Sequence, residues 1–307
     1  GEVSATSTDG INGSQLYAVA NTLSKNMSSY MHINDGTSTQ TVGNATTNYG
    51  YSGSKAGATG TKAIAGGVNA QAAGENAIAI GADATASSKA AIAIGADVTA
   101  SSESAIAIGR SVTTDSDSKN SIAMGLTSNI TGTVGAIALG VNSSITSSVP
   151  GGPSTKTSTN SVAIGTDSHI TDSYRSVAIG DIATISQGYD GVAIGGLANI
   201  TNSVNATALG AGSKVTNSIG GIAIGGGTEV TADNGIAIGS QSKAFGRSSI
   251  SIGIGNEVKG DSSSVIGDPS YIDTTATGTH VQGNNNGTST NPIKASESTF
   301  MGNTNLA

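Results

Sequence analysis

The chain has 307 residues, 36% of them hydrophobic but only 3% aromatic, with 45 Gly and neither Cys nor Trp. Its net charge is −7, with sparse and interspersed charges, which excludes the basic stripe that nucleic acid requires. Without Cys there are no disulfides or thiolate metal sites, as suits export through an oxidising compartment, and no apolar run reaches the roughly 20 residues of a spanning helix.

The chain opens at Gly1 without Met or a signal peptide, and both ends read as cut from something longer. The phrase Ser7-Thr-Asp-Gly-Ile-Asn-Gly-Ser-Gln-Leu16 precedes a short stretch in which Leu16, Val19, Leu23 and Met27 form an apolar seam at helical spacing. Two heptads are too few to separate a coiled coil from an isolated amphipathic helix. Residues 31–62 are rich in Gly, Ser, Thr and Asn and read as a connector. A first, imperfect repeat follows at Ala63-Ile-Ala-Gly66.

From residue 77 the phrase Ala-Ile-Ala-Ile-Gly or a close variant recurs a dozen times, ending at Gly81, Gly95, Gly109, Gly125, Gly140, Gly165, Gly180, Gly195, Gly210, Gly225, Gly239 and Gly253. A short fixed period means one rung stacked along an axis. In each rung a first strand carries Ile and Ala on opposite faces, as with Ile78 and Ile80 against Ala77 and Ala79. Neither face is charged, so both are expected to be buried. Gly marks a corner. A second strand turns Ser128 and Ile130, Ser143 and Ile145, Ser168 and Ile170, and Ala198 and Ile200 inward, with Thr131, Thr146, Thr171, Thr201 and Thr216 outward. Stacked at about 4.8 Å, some thirteen rungs make a rod roughly 60 Å long.

A single coil of this size buries little apolar surface against the entropy of ordering it. With the Ile side chains taken as the interior, the Ala face is left to pack against other copies. The expected interface is therefore Ala79, Ala93, Ala107, Ala123, Ala138, Ala163, Ala178, Ala193, Ala208, Ala223 and Ala237.

The longest gap, Gly140 to Gly165, holds an insertion with Pro150, Pro153 and Lys156. Such insertions project as surface loops, often on a binding face; a tolerated spacer is the equal alternative. Beyond residue 267 the repeats degrade: Ser263–Gly267 and Ser298–Gly302 keep the Gly but shift the apolar residues.

Little points to chemistry. His32, His169 and His280 are dispersed and read as exposed polar residues. Asp115 and Asp117 suit a Ser-rich turn better than acid–base or Ca²⁺ work. Gly225-Gly-Gly227 lacks the Lys-Ser/Thr of a phosphate loop, and the six-residue period of hexapeptide acyltransferases is absent. The reading is of no enzyme, no cofactor and no metal.

The rung phrases resemble the head repeats of trimeric autotransporter adhesins, the YadA-like family of Gram-negative bacteria. Asn160-Ser-Val-Ala-Ile-Gly-Thr-Asp-Ser168 matches the family phrase in full, and Asn120-Ser-Ile-Ala-Met-Gly-Leu-Thr-Ser128 matches with conservative swaps. Residues 7–16 resemble the end of the family's neck, through Asp9, Asn12, Gly13, Ser14, Gln15 and Leu16, with Gly10 in place of the usual Ala.

The resemblance implies an all-β, left-handed parallel β-roll (a β-solenoid) that forms a side-by-side homotrimer behind a short neck and coiled-coil stub. The implied organisation is 1–30 neck end and coiled coil, 31–62 connector, 63–267 head repeats, and 268–307 capping rungs or the approach to another neck. It also implies a bacterial cell-surface adhesin, held in the outer membrane by a C-terminal region absent from this chain. Its partners would be collagen, fibronectin, laminin or a CEACAM-type receptor, with autoaggregation. In some heads the phrase at 160–168 is associated with collagen binding, which makes Asn160, Ser161 and Ser168 candidate contacts beside Pro150, Pro153 and Lys156. The alternatives are an inert spacer presenting another module, and an ice-binding solenoid that uses its outward Thr residues.

Overall fold

The computed structural model describes residues 10–27, 31–33, 57–148 and 158–305. It contains one helix, Gly13–Met27, and a parallel β-solenoid of about 16 turns. The helix starts where Asn12 and Gln15 cap it reciprocally. Asn12 Oδ1 accepts the Gln15 N–H at 3.0 Å, and Gln15 Oε1 accepts the Asn12 N–H at 3.0 Å. This is a capping box, in which two otherwise orphaned donors are satisfied at once. The phrase Asn-Gly-Ser-Gln thus acts as a helix start signal. Along the helix Leu16, Tyr17 and Val19 are exposed. Asp9 lies outside the described residues, and only the backbone of Leu23 and Met27 is described.

Each rung contributes one strand to each of two long sheets, of 17 and 15 strands. The ladders are parallel and in register, so like residues stack: Ile78 on Ile92, Ala79 on Ala93, Ile80 on Ile94. The rod is roughly 70 Å long at one strand spacing per rung. It begins before residue 63, because Gly57–Ala58 already pairs with Gln71–Ala72 in the second sheet. The strand Met31–Ile33 pairs antiparallel with Ile64–Gly66 and covers the first edge. At the other end the first sheet continues through His280–Gln282 and Thr299–Met301, so residues 268–305 carry degenerate rungs of the same solenoid.

The interior reverses one expectation. Ala79, Ala93, Ala107, Ala123, Ala138, Ala163, Ala178, Ala193, Ala208, Ala223 and Ala237 are all fully buried inside the single chain. They cannot be the surface that meets another copy. The outward face of the first sheet is the Ile face. The cause is cross-section: two sheets joined by tight corners in about 14 residues leave a narrow gap. Where the second strand supplies a buried Ile, as at Ile130, Ile145 and Ile170, the first strand has room for Ala only. The second strand faces as expected, with Ser128, Ser143, Ser168 and Ala198 buried beside their Ile neighbours.

Most rungs come in two lengths. Where glycines are 14 apart, as from Gly67 to Gly109 and from Gly225 to Gly267, the second strand is two residues long. Where they are 15 apart it has three, and Asp172, Gln187, Asn202 and Asn217 take positive φ at an added corner. Buried serines satisfy the backbone there. Ser158 Oγ accepts the Ser173 N–H at 3.0 Å, Ser173 Oγ the Gly188 N–H at 2.9 Å, and Ser203 Oγ the Ser218 N–H at 3.1 Å.

Candidate functional site

Two long faces remain available to partners. The first sheet turns two columns of apolar side chains outward. One runs Ile78, Ile92, Ile106, Ile122, Ile137, Val162, Val177 and Val192; the other runs Ile80, Ile94, Ile108, Met124, Leu139, Ile164, Ile179 and Ile194. Both columns continue past Thr207 and Leu209 to Ile250 and Ile252. None of these positions is charged. All are half-buried or exposed in the single chain, Met124 by 39% and Leu209 by 41%. An apolar strip of this length exceeds what a soluble monomer leaves open, and marks an interaction surface.

The second sheet's outer face is polar. From Thr85 to Thr201 it carries mostly Thr, Ser and Asn, and Thr131, Thr146 and Thr171 align in one column. Adjacent side chains bond along it, as between Thr146 Oγ1 and Thr171 Oγ1 at 3.3 Å. Farther along, the face becomes charged and aromatic, from Lys214 to Tyr271.

The candidate ligand residues separate. Asn160 is exposed and holds a left-handed corner, φ 54°. Ser161 and Ser168 are fully buried. Ser161 Oγ donates to the Ser173 carbonyl at 2.8 Å and accepts the Ser176 N–H at 3.1 Å. Ser168 Oγ donates to the Ala178 carbonyl at 3.1 Å. Both therefore pin rungs together and are withdrawn as ligand contacts. The reason is alternation: the residue before Val162 shares the inward face with Ala163. Pro150, Pro153 and Lys156 lie outside the described residues.

Of the polar residues weighed for chemistry, His169, His280 and Asp115 serve the backbone or their rung neighbours. His169 Nδ1 is 2.7 Å from Ser144 Oγ and His280 Nδ1 is 2.8 Å from Ser264 Oγ. Asp115 accepts the Gly132 N–H at 2.9 Å and also the Ser118 hydroxyl. Among the described residues no three His, Asp or Glu side chains gather as a metal site would need. Arg175 makes a bidentate pair with Asp190 on the next rung, 2.7 and 2.8 Å, and that carboxylate raises the guanidinium pKa.

These features define a class: an elongated parallel β-solenoid with one apolar and one polar long face. Within it, the model of the YadA head domain repeat matches twice, over residues 58–84 and 72–97, and again over 217–242 and 231–256. These repeats support a YadA-like trimeric autotransporter adhesin head. The matched windows fall mainly on the stretches with 14-residue spacing, the later one reaching back to Asn217 in the last 15-residue rung; the other 15-residue rungs lie outside. No curated protein matches the chain. The function that goes with this family is of adhesin type and its place is the cell surface.

Proposed function

We propose that this head assembles as a homotrimer through its Ile and Val columns and attaches a bacterium to its host. The observation that carries the assembly is the uncovered apolar strip on the first sheet. Identical chains close such a surface by point symmetry, and three copies set side by side bury all three strips on one axis. This replaces the Ala interface expected from the sequence. Assembly leaves the three polar faces outward, where many similar rungs provide avidity without a deep pocket.

The proposed ligands are collagen, fibronectin, laminin or a CEACAM-type receptor, with autoaggregation between like surfaces. The anchor would belong to a C-terminal region outside this chain. Light scattering on the purified chain, followed by binding to each immobilised ligand, tests both parts. A stable monomer removes the trimer. An oligomer that binds none of the ligands would leave a spacer.

A further inference from the structure

The outer face of the second sheet changes character near one end of the rod. One column reads Lys214, Glu229, Lys243, Glu257, Tyr271 on successive rungs, with alternating charge and then an aromatic ring. The neighbouring column carries Phe245, Lys259 and Asp273. Elsewhere the same positions hold mainly small polar residues.

A shallow groove of about 410 Å³ runs beside this ladder, lined by Gly227, Gln241, Lys243, Gly255, Glu257 and Tyr271. It exists because Gly227 and Gly255 hold left-handed corners, φ 64° and 68°, that carry a side chain in other rungs, such as Asp97 and Asn142. The ladder then breaks beside Tyr271. Ser270 bridges Asn286 and Ile272 bridges Ile293, so residues 287–292 leave the strand at the groove's edge. A break in a regular solenoid with an open groove beside it is where a ligand site is expected.

We propose that this groove binds a neutral oligosaccharide. The claim rests on the adhesin reading above and gives it a ligand class. The charges are already paired: Lys214 with Glu229 at 3.5 Å, and Glu257 with Lys243 at 3.7 Å and Lys259 at 2.5 Å. The two charged residues that line the groove, Lys243 and Glu257, offset each other, so its lining has no net charge to select an anion or a cation. It still presents donors and acceptors in alternation, one strand spacing apart. Hydroxyl groups can use both without breaking an ion pair, and the Tyr271 ring offers the flat apolar surface that a sugar face covers. The groove lies on the sheet opposite the apolar strip, so assembly and binding are compatible.

The test uses the intact oligomer on a printed array. The array carries neutral glucose-, galactose- and N-acetylhexosamine-based oligosaccharides, their sialylated and sulfated counterparts, and collagen, fibronectin and laminin. Neutral glycans are expected to retain the protein. Tyr271→Ala and Gly227→Asn should each weaken retention about tenfold at unchanged melting temperature. Asn tolerates the left-handed corner, so Gly227→Asn fills the groove without straining the rung. Retention by charged glycans alone, or retention indifferent to Gly227→Asn, overturns the proposal. Binding to a matrix protein with no glycan retained overturns it while leaving the adhesin reading intact. Binding to nothing on the array overturns the proposal and leaves the adhesin reading only its CEACAM-type receptor.

Discussion

Gly109 and Gly125 stack so closely that a Cβ built on Gly109 would lie 1.7 Å from the Gly125 carbonyl oxygen. The backbone there has φ 140°, which L side chains rarely adopt. The same approach repeats along the corner, at 2.1 Å from Gly125 to Gly140 and 2.3 Å from Gly165 to Gly180. The repeated Gly is therefore demanded twice, by conformation and by the passage of one rung over the next. Gly109→Ala should cost at least about 1–3 kcal/mol for the backbone alone, with the overlap adding to it. A marked fall in the melting temperature by circular dichroism is expected. A variant as stable as the parent would show that the rungs stand farther apart at this corner.

Residues on two neighbouring rungs should respond in three different ways. Ile179 faces outward, Ala178 is fully buried in the interior, and Thr171 lies half-buried on the polar face. Ile179→Asp should give a folded chain that no longer associates, because it sets like charges on the apolar strip of every copy. Ala178→Asp should unfold the rungs around it, since no interior partner awaits a carboxylate. Thr171→Asp should alter neither. Light scattering and circular dichroism on the three variants separate association from folding. Equal tolerance of Ile179→Asp and Thr171→Asp would refute the strip as the contact surface.

Much of this architecture was legible in the sequence, because period, Gly corners and alternation are local. The facing of the first strand was not. Ile78 and Ala79 alternate whichever way the strand is turned, and hydrophobicity favours placing Ile inside. The deciding quantity is the width of the gap between the sheets. That width is set by the corners and by the second strand's own Ile side chains, such as Ile130 and Ile145. The two rung lengths were visible as spacings of 14 and 15, but the added corner with its buried Ser ladder emerges only when rungs are stacked. The groove at Tyr271 was hidden for a similar reason. It depends on which side chain a corner lacks, at Gly227 and Gly255, and glycine is common throughout this chain.

Acid should loosen the far end of the rod. Asp273 accepts the Thr275 N–H at 3.0 Å and the Thr275 hydroxyl at 2.9 Å. These bonds favour the carboxylate and lower its pKa from the ordinary 3.8, with Thr274 and Lys294 adding to the effect. A carboxyl lowered by folding contributes stability that is complete above its unfolded value and is lost as pH falls through the folded one. The contribution should thus be constant above about pH 4–5 and decline below that. NMR titration should show Asp273 ionising below 3.8. Thr275→Val should bring it part of the way back up, since the Thr275 hydroxyl bond is lost while the Thr275 N–H and Thr274 hydroxyl bonds survive. An unchanged titration in that variant would remove the hydroxyl from the account.

The phrase at 160–168 offers a test of whether binding and stability have been confounded at this motif. Ser161 Oγ bridges the Ser173 carbonyl and the Ser176 N–H inside the solenoid. Ser161→Ala strands both groups away from water, at about 1–3 kcal/mol for each one left unsatisfied. Thr114 presents the opposite case. It is fully buried at a position stacked on Ala100 and Ile130, and its hydroxyl meets no protein partner. Thr114→Val removes that hydroxyl at constant shape and should stabilise by about 1 kcal/mol. Asn160 is exposed, so Asn160→Gly keeps the corner's positive φ while deleting the only side chain of the phrase's first two positions that a ligand can reach. Thermal melts and matrix-protein binding measured together on the three variants distinguish the roles. If the motif acts through integrity of the head, binding falls with melting temperature in Ser161→Ala and is retained in both Thr114→Val and Asn160→Gly. Loss of binding in Asn160→Gly at unchanged stability would instead make Asn160 a direct contact.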